Sequence, residues 1–89
     1  MLADTSRKAY DTLQRVGEKQ LAVFKFIQEH GPVCNLDIAD GLGWEINRVT
    51  GRSRELFEMN EIEVAYKDKS RTGRTAKFWQ VTPIQRRLI

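Results

Sequence analysis

The chain has 89 residues, of which 40% are hydrophobic and 30% are charged, so it has room for one small domain with its own core. Its longest apolar run, Leu21 to Phe24, is far shorter than the roughly 20 residues of a membrane span, and we expect no signal peptide. A single cysteine, Cys34, excludes an internal disulfide and argues against a cysteine-rich zinc site. We therefore expect a cytoplasmic protein without membrane contact, metal or cofactor.

The positive charge is concentrated in the second half of the chain. Residues 1–44 carry five basic and six acidic side chains, whereas residues 45–89 carry ten basic and six acidic ones. An excess of basic side chains on one part of a small protein favours a polyanionic partner.

The first third of the chain predicts two helices. Apolar residues three and four positions apart predict a short N-terminal helix over residues 6–16 and a second helix over residues 18–30. Gly31 and Pro32 then end the second helix, and Gly31 is expected in the left-handed conformation.

Two further helices follow a short extended segment around Val33. Asn35 is expected to cap a helix over residues 36–42, which ends at Gly43. A longer helix is predicted over residues 45–60. On a helical wheel its inward side holds Ile46, Val49, Ser53, Leu56 and Phe57. Its outward side holds Asn47, Arg48, Gly51, Arg54 and Glu55, with Arg52 at the edge.

The spacing of apolar residues then changes to two, which predicts a pair of strands. In the first strand Ile62, Val64 and Tyr66 alternate with other residues, so we expect these three on the buried side. A second strand is predicted to begin near residue 77, and a polar loop over residues 67–75 joins the two strands.

Several segments, taken in this order, resemble the winged helix-turn-helix family. They read Asn35-Leu36-Asp37-Ile38-Ala39 with Gly41-Leu42-Gly43, Val49-Thr50-Gly51-Arg52 with Glu55-Leu56, Asn60-Glu61-Ile62, and Thr72-Gly73-Arg74-Thr75-Ala76 before Phe78-Trp79. The resemblance covers residues 18–82. It is greatest to the small stand-alone winged-helix proteins of bacterial and phage genomes, and more distant to MarR-type regulators.

The resemblance implies an α+β fold, with a three-helix core, an extra N-terminal helix, a two-stranded hairpin called the wing, and a short third strand near Val33. Residues 18–83 would form this domain, residues 1–17 a helical extension and residues 84–89 a short basic tail. It also implies that the protein reads the sequence of double-stranded DNA and regulates transcription in a bacterial cell or a phage-infected host.

To read DNA, the helix over residues 45–60 would lie in the major groove, with side chains that reach base edges. Asn bonds adenine and Arg bonds guanine in pairs of contacts, and a glycine allows close approach to the groove wall. The candidate reading residues are therefore Asn47, Arg48, Gly51, Arg52 and Arg54. In the alternative interpretation this face is merely solvated, and its arginines pair with Glu45, Glu55 and Glu58.

The wing over residues 67–77 would contact the DNA backbone or enter the minor groove. Its candidate contacts are Lys67, Lys69, Arg71, Thr72, Arg74 and Lys77. Basic residues at a hairpin tip also keep it soluble and prevent edge pairing, which is the alternative. Asn35 and Trp44 are further candidate phosphate contacts, although a helix cap and core packing also explain them. Trp79 is expected in the core or facing a partner.

The sequence gives little support for catalysis. His30 and Cys34 lie four positions apart, but no Asp or Asn is evidently placed to orient them as a dyad. Gly41-Leu42-Gly43 ends a helix instead of opening one, so it is not a phosphate-binding loop. We expect that the protein is not an enzyme.

Two questions about partners stay open at this point. The helix predicted over residues 6–16 either forms a homodimer surface or covers the core. The function itself also has an alternative in another class, a winged-helix interaction module that docks on a host or phage protein, such as a polymerase or the replication machinery, without reading DNA.

Overall fold

The computed structural model describes residues 16–83, so the helix predicted over residues 6–16, apart from Val16, and the tail predicted over residues 84–89 lie outside the described residues. Three helices precede an antiparallel hairpin. They are α1 (Glu18–His30), α2 (Asn35–Leu42) and α3 (Ile46–Glu58), and the strands are β1 (Ile62–Lys69) and β2 (Thr75–Val81). This is the expected α+β class, and the arrangement is compatible with a winged-helix layout. No helix within residues 16–83 is long and apolar enough to cross a membrane.

One apolar core lies between the three helices and the hairpin. Each helix contributes a stripe of residues three and four positions apart, because that spacing returns to the same side of a helix. The core residues with 1% or less of their surface exposed include Val23, Phe24, Ile27, Ile38, Val49, Leu56 and Ile62. Trp79 is also in the core, with 5% exposed, which agrees with one of its two expected positions.

The ends of α1 and α2 are both formed by glycine, but for different reasons. Gly43 is left-handed, with φ of 69°, and ends α2 as expected. Gly31 is not left-handed, so that expectation is wrong: its φ is −60° and its ψ is 159°. A Cβ at Gly31 would lie 2.5 Å from the carbonyl oxygen of Ile27 and 3.2 Å from that of Trp79. Gly31 is therefore required by close packing of the backbone.

The sequence led us to expect that Asn35 caps α2, and this expectation is wrong. The helix begins at Asn35 itself, and Cys34 is the capping residue. The carboxylate of Asp37 accepts bonds from both the backbone N–H and the Sγ of Cys34, each at 3.4 Å. The side chain of Asn35 does not cap the helix and instead forms hydrogen bonds with α3 and β2.

The hairpin is longer than predicted, since both strands extend into the region expected to be loop. Residues 70–74 form the connection, in which Gly73 has φ of 84°. A register irregularity lies between Val64 and Tyr66 and turns Tyr66 outward. The expectation that Tyr66 is buried is therefore wrong: 47% of its surface is exposed, and its ring stacks on Phe78 at a centroid distance of 5.0 Å.

The sheet has two strands, and the third strand expected near Val33 is limited to one isolated bridge between Val33 and Trp79 of β2. The backbone N–H of Val33 donates to the carbonyl of Trp79 at 3.1 Å, and the N–H of Trp79 donates back at 2.7 Å. This bridge fixes the hairpin beside the start of α2.

Candidate functional site

A groove of about 950 Å³ separates α3 from the hairpin, and we call it the α3–hairpin groove. One wall is formed by Ile46, Thr50, Arg54, Phe57 and Glu58 of α3. The other wall is formed by Arg74, Thr75, Ala76, Lys77 and Trp79, and the start of α2 adds Cys34, Asn35 and Leu36 between the two. The charged side chains along this groove are three basic ones and one acidic one, so it favours an anionic occupant.

Two apolar residues of α3 are exposed in this groove, although the helical wheel placed them inward. Ile46 has 41% and Phe57 has 43% of its surface exposed. The reason is that the hairpin stands away from this side of α3 and leaves the groove open. Phe57 contacts the ring of Trp79 at a centroid distance of 5.4 Å, whereas Ile46 lies at the first turn of the helix.

The outermost face of α3 carries Asn47, Gly51 and Arg54. Asn47 and Arg54 are exposed, and a Cβ at Gly51 would have no heavy atom within 4 Å. At about 100° per residue these three positions lie opposite the buried side of the helix, as the sequence predicted. They are the α3 residues best placed to meet a surface that approaches the helix from outside.

One of the candidate arginines, Arg52, lies on a different side of α3, toward α1. Arg52 donates from Nε and Nη2 to the two carboxylate oxygens of Glu55, at 2.7 and 3.0 Å. Gln20 of α1 donates to the same carboxylate at 2.7 Å. Hydrogen bonds from Gln20 and Arg52 hold the pKa of Glu55 below its ordinary value. Arg52 is thus engaged within the protein, in line with the alternative interpretation for this residue.

Arg48 and Trp44 form a pair at the start of α3. The guanidinium carbon of Arg48 lies 5.8 Å from the centroid of the Trp44 ring, which is a cation–π contact. Trp44 is partly buried and packs against the core, so core packing accounts for its position. Arg48 itself is exposed and keeps donors available to a partner.

Asn35 connects the elements that surround the groove. Its Oδ1 accepts bonds from the hydroxyl of Ser53 at 2.8 Å and from the indole N–H of Trp79 at 2.9 Å. A residue of α2 thereby holds α3 and β2 together through one oxygen atom. Asn35 has a structural role here, and it also lines the groove.

Basic side chains of the hairpin lie side by side. Lys67 is directly opposite Lys77, and Lys69 is opposite Thr75. All three lysines are exposed, and within residues 16–83 Lys67 and Lys77 form no ion pair. Like charges directly opposite each other destabilise a strand pair, so this arrangement favours an anion that lies across both.

Arg71 behaves differently from the other basic residues of the hairpin. Its guanidinium forms an ion pair with the carboxylate of Asp40, which attaches the tip of the hairpin to α2. The hydrogen bond from Arg71 holds the pKa of Asp40 below its ordinary value. In the same loop the hydroxyls of Ser70 and Thr72 bond each other at 2.9 Å. Within residues 16–83, the basic hairpin residues that line the groove and form no ion pair are Arg74 and Lys77.

Sequence reasoning missed three features of this site: the exposed side chains of Ile46 and Phe57, the contact of Asp40 with Arg71, and the central place of Asn35. Only the first left a signal, since Ile46 is at the margin of the apolar stripe and at the first turn of its helix. Within residues 16–83 there is no group of three or more side chains that could hold a metal ion.

No protein-family model matches the chain, and no curated protein matches it either.

Proposed function

We propose that the protein is a winged helix-turn-helix protein that reads double-stranded DNA and regulates transcription in a bacterial cell or a phage-infected host. In this proposal α3 lies in the major groove, which is about 12 Å wide and admits one helix. The observation that supports it most is the open groove with an exposed polar helix face on one side and basic hairpin residues on the other.

The hairpin side of the α3–hairpin groove would hold one DNA backbone strand. With α3 in the major groove and the hairpin over the next phosphates, the strand between them has to pass through the gap that separates the two elements. Arg74 and Lys77 on the hairpin wall can neutralise its phosphates. Lys67, directly opposite Lys77, extends this basic surface along the hairpin.

Base reading would then fall to the outermost residues of α3. Asn47 carries the amide that pairs with the N6 and N7 edge of adenine, and Arg54 carries the guanidinium that pairs with guanine. Gly51 between them leaves room for a groove wall to approach the helix backbone. Arg48 adds a basic group at the start of the helix.

The experiment that tests the proposal is an NMR titration of the ¹⁵N-labelled protein with a short duplex at low salt. Amide shifts should concentrate in α3 from Asn47 to Arg54 and in the hairpin around Arg74 and Lys77. Affinity should fall steeply with salt, because each neutralised phosphate releases counterions. Arg54→Ala should weaken binding, and Lys25→Ala, which removes an exposed charge on α1, is the matched control. Shifts confined to α1, or no binding at any salt, would contradict the proposal.

A second candidate function is supported by the exposed Ile46 and Phe57, since apolar side chains in an open groove suit a protein partner. In that case the protein is an interaction module that docks on a host or phage protein. The same titration separates the two, because an interaction module has no affinity for duplex DNA.

A further inference from the structure

Ile46 holds an unusual position for a large apolar residue. It is the first residue of α3, and 41% of its surface is exposed. In helices that read DNA, residues near the helix N-terminus contact base edges. Phe57 is the other exposed apolar residue of α3, but it lies eleven residues further on, roughly 16 Å along the helix axis. The two side chains therefore cannot contact the same base pair.

Thr50 presents a second apolar group next to Ile46. The two residues are four positions apart, so they are neighbours on one side of α3. The hydroxyl of Thr50 donates to the carbonyl of Ile46 at 2.9 Å. This bond uses the hydroxyl inside the helix, so the group that the exposed Thr50 offers to a partner is its methyl.

Only one base offers an apolar group in the major groove, and that group is the C5-methyl of thymine. Asn47 follows Ile46 in the chain, is exposed, and carries the amide that matches adenine, the partner of thymine. Apolar groups that suit thymine and an amide that suits adenine thus occur together at the start of the helix.

We infer that Ile46 and the methyl of Thr50 form a contact for the C5-methyl group of thymine, so that the preferred DNA site contains a thymine where α3 begins. This inference rests on the proposed function, because it requires α3 to lie in the major groove. It adds two specificity-determining residues, Ile46 and Thr50, to the polar ones.

The test begins with selection of a preferred duplex from a random pool. Each thymine of that duplex is then replaced in turn by deoxyuridine, which removes only the methyl group. One or two of these replacements should lower the affinity about fourfold, the effect expected when one methyl group is no longer buried. The remaining replacements should have little effect.

Protein variants assign the methyl contact to its residues. Thr50→Ser keeps the hydroxyl bond and removes the methyl, and Ile46→Ala shortens an exposed side chain, so both variants should fold. In each the effect of the critical deoxyuridine should shrink. Phe57→Ala, also exposed in the groove, is the matched control and should keep the full effect.

Two outcomes would overturn the inference, and they have different meanings. If the protein binds duplex DNA but no deoxyuridine replacement matters, or if the effect persists in Ile46→Ala and Thr50→Ser, the thymine contact is wrong while the proposed function stands. If the pool yields no bound duplex at low salt, the proposed function fails as well.

Discussion

Replacing Gly51 with alanine separates the stability of the fold from the affinity for DNA. In the free protein a Cβ at Gly51 has no heavy atom within 4 Å, so the added methyl meets no obstacle. Alanine is more favourable than glycine inside a helix by about 0.8–1 kcal/mol. For a domain of this size that gain corresponds to a rise in Tm of roughly 4–8 °C.

On DNA the same methyl should have the opposite effect. Gly51 lies on the outermost face of α3, between Asn47 and Arg54, where the proposal brings the helix backbone closest to the major groove. A methyl forced into a close contact costs typically 1–3 kcal/mol, or roughly five- to 150-fold in affinity. Gly51→Ala should therefore raise Tm and weaken binding to the preferred duplex in the same preparation.

Thermal unfolding, followed by circular dichroism, measures the change in Tm. Fluorescence anisotropy with a labelled duplex measures the change in affinity. Gly41→Ala is a contrasting control for the stability measurement. Its Cβ would collide with the ring of Phe26, so this variant should lower Tm. A stabilised Gly51→Ala protein that binds DNA as tightly as the unchanged protein would refute the close approach of α3. A lowered Tm would refute the packing argument.

Three further predictions concern charged residues. Lys77→Ala should weaken preferred and random duplexes alike and reduce the slope of log affinity against log salt by about one, as measured by anisotropy. Asp40→Asn should free Arg71 to bind phosphate, which raises affinity and increases that slope by about one, and addition of Arg71→Ala should cancel the gain. Gln20→Ala should raise the pKa of Glu55 toward its ordinary value, because the largest cause of the lowering is lost, as NMR titration of the carboxyl will show. A lowered carboxyl pKa stabilises the fold at pH values above the ordinary pKa of the carboxyl. In the unchanged protein, the stabilisation from Glu55 therefore disappears as the pH falls through its lowered pKa.

Two of these predictions have a matched control variant, and the third has a clear contradicting outcome. Asp68→Asn removes another exposed carboxylate of the hairpin without an ion pair to Arg71, so its effect on affinity should be the same with and without Arg71→Ala. Lys25→Ala should leave the salt slope unchanged. An unaltered pKa of Glu55 in Gln20→Ala would contradict the role given to that hydrogen bond.

The helices could be predicted well from the sequence because each has one apolar stripe, and the buried residues Val49, Ser53 and Leu56 of α3 follow from spacing alone. The same wheel was wrong for Ile46 and Phe57. Whether an apolar residue at the margin of a stripe is buried depends on how closely the next element packs. Here that element is the hairpin, whose distance from α3 no local pattern contains.

The contacts that complete the site join residues far apart in the chain. Asp40 and Arg71 are separated by 31 positions, and Asn35 bonds Trp79 across 44 positions. Each of these side chains has an adequate local explanation, as a solvated charge, a helix cap or a core residue, so no local pattern pairs them. The outward turn of Tyr66 has a similar origin, because one irregularity in strand register reverses the side on which later residues lie.

The opposed lysines of the hairpin make the stability of the free protein depend on its ionic surroundings. Lys67 and Lys77 repel each other in the folded hairpin and are far less constrained in the unfolded chain. An anion that bridges them therefore binds the folded state preferentially and raises the unfolding temperature. Salt that screens the repulsion should stabilise the hairpin even while it weakens attraction to a polyanion. Melting temperatures measured in phosphate and in chloride buffers of equal ionic strength should accordingly differ.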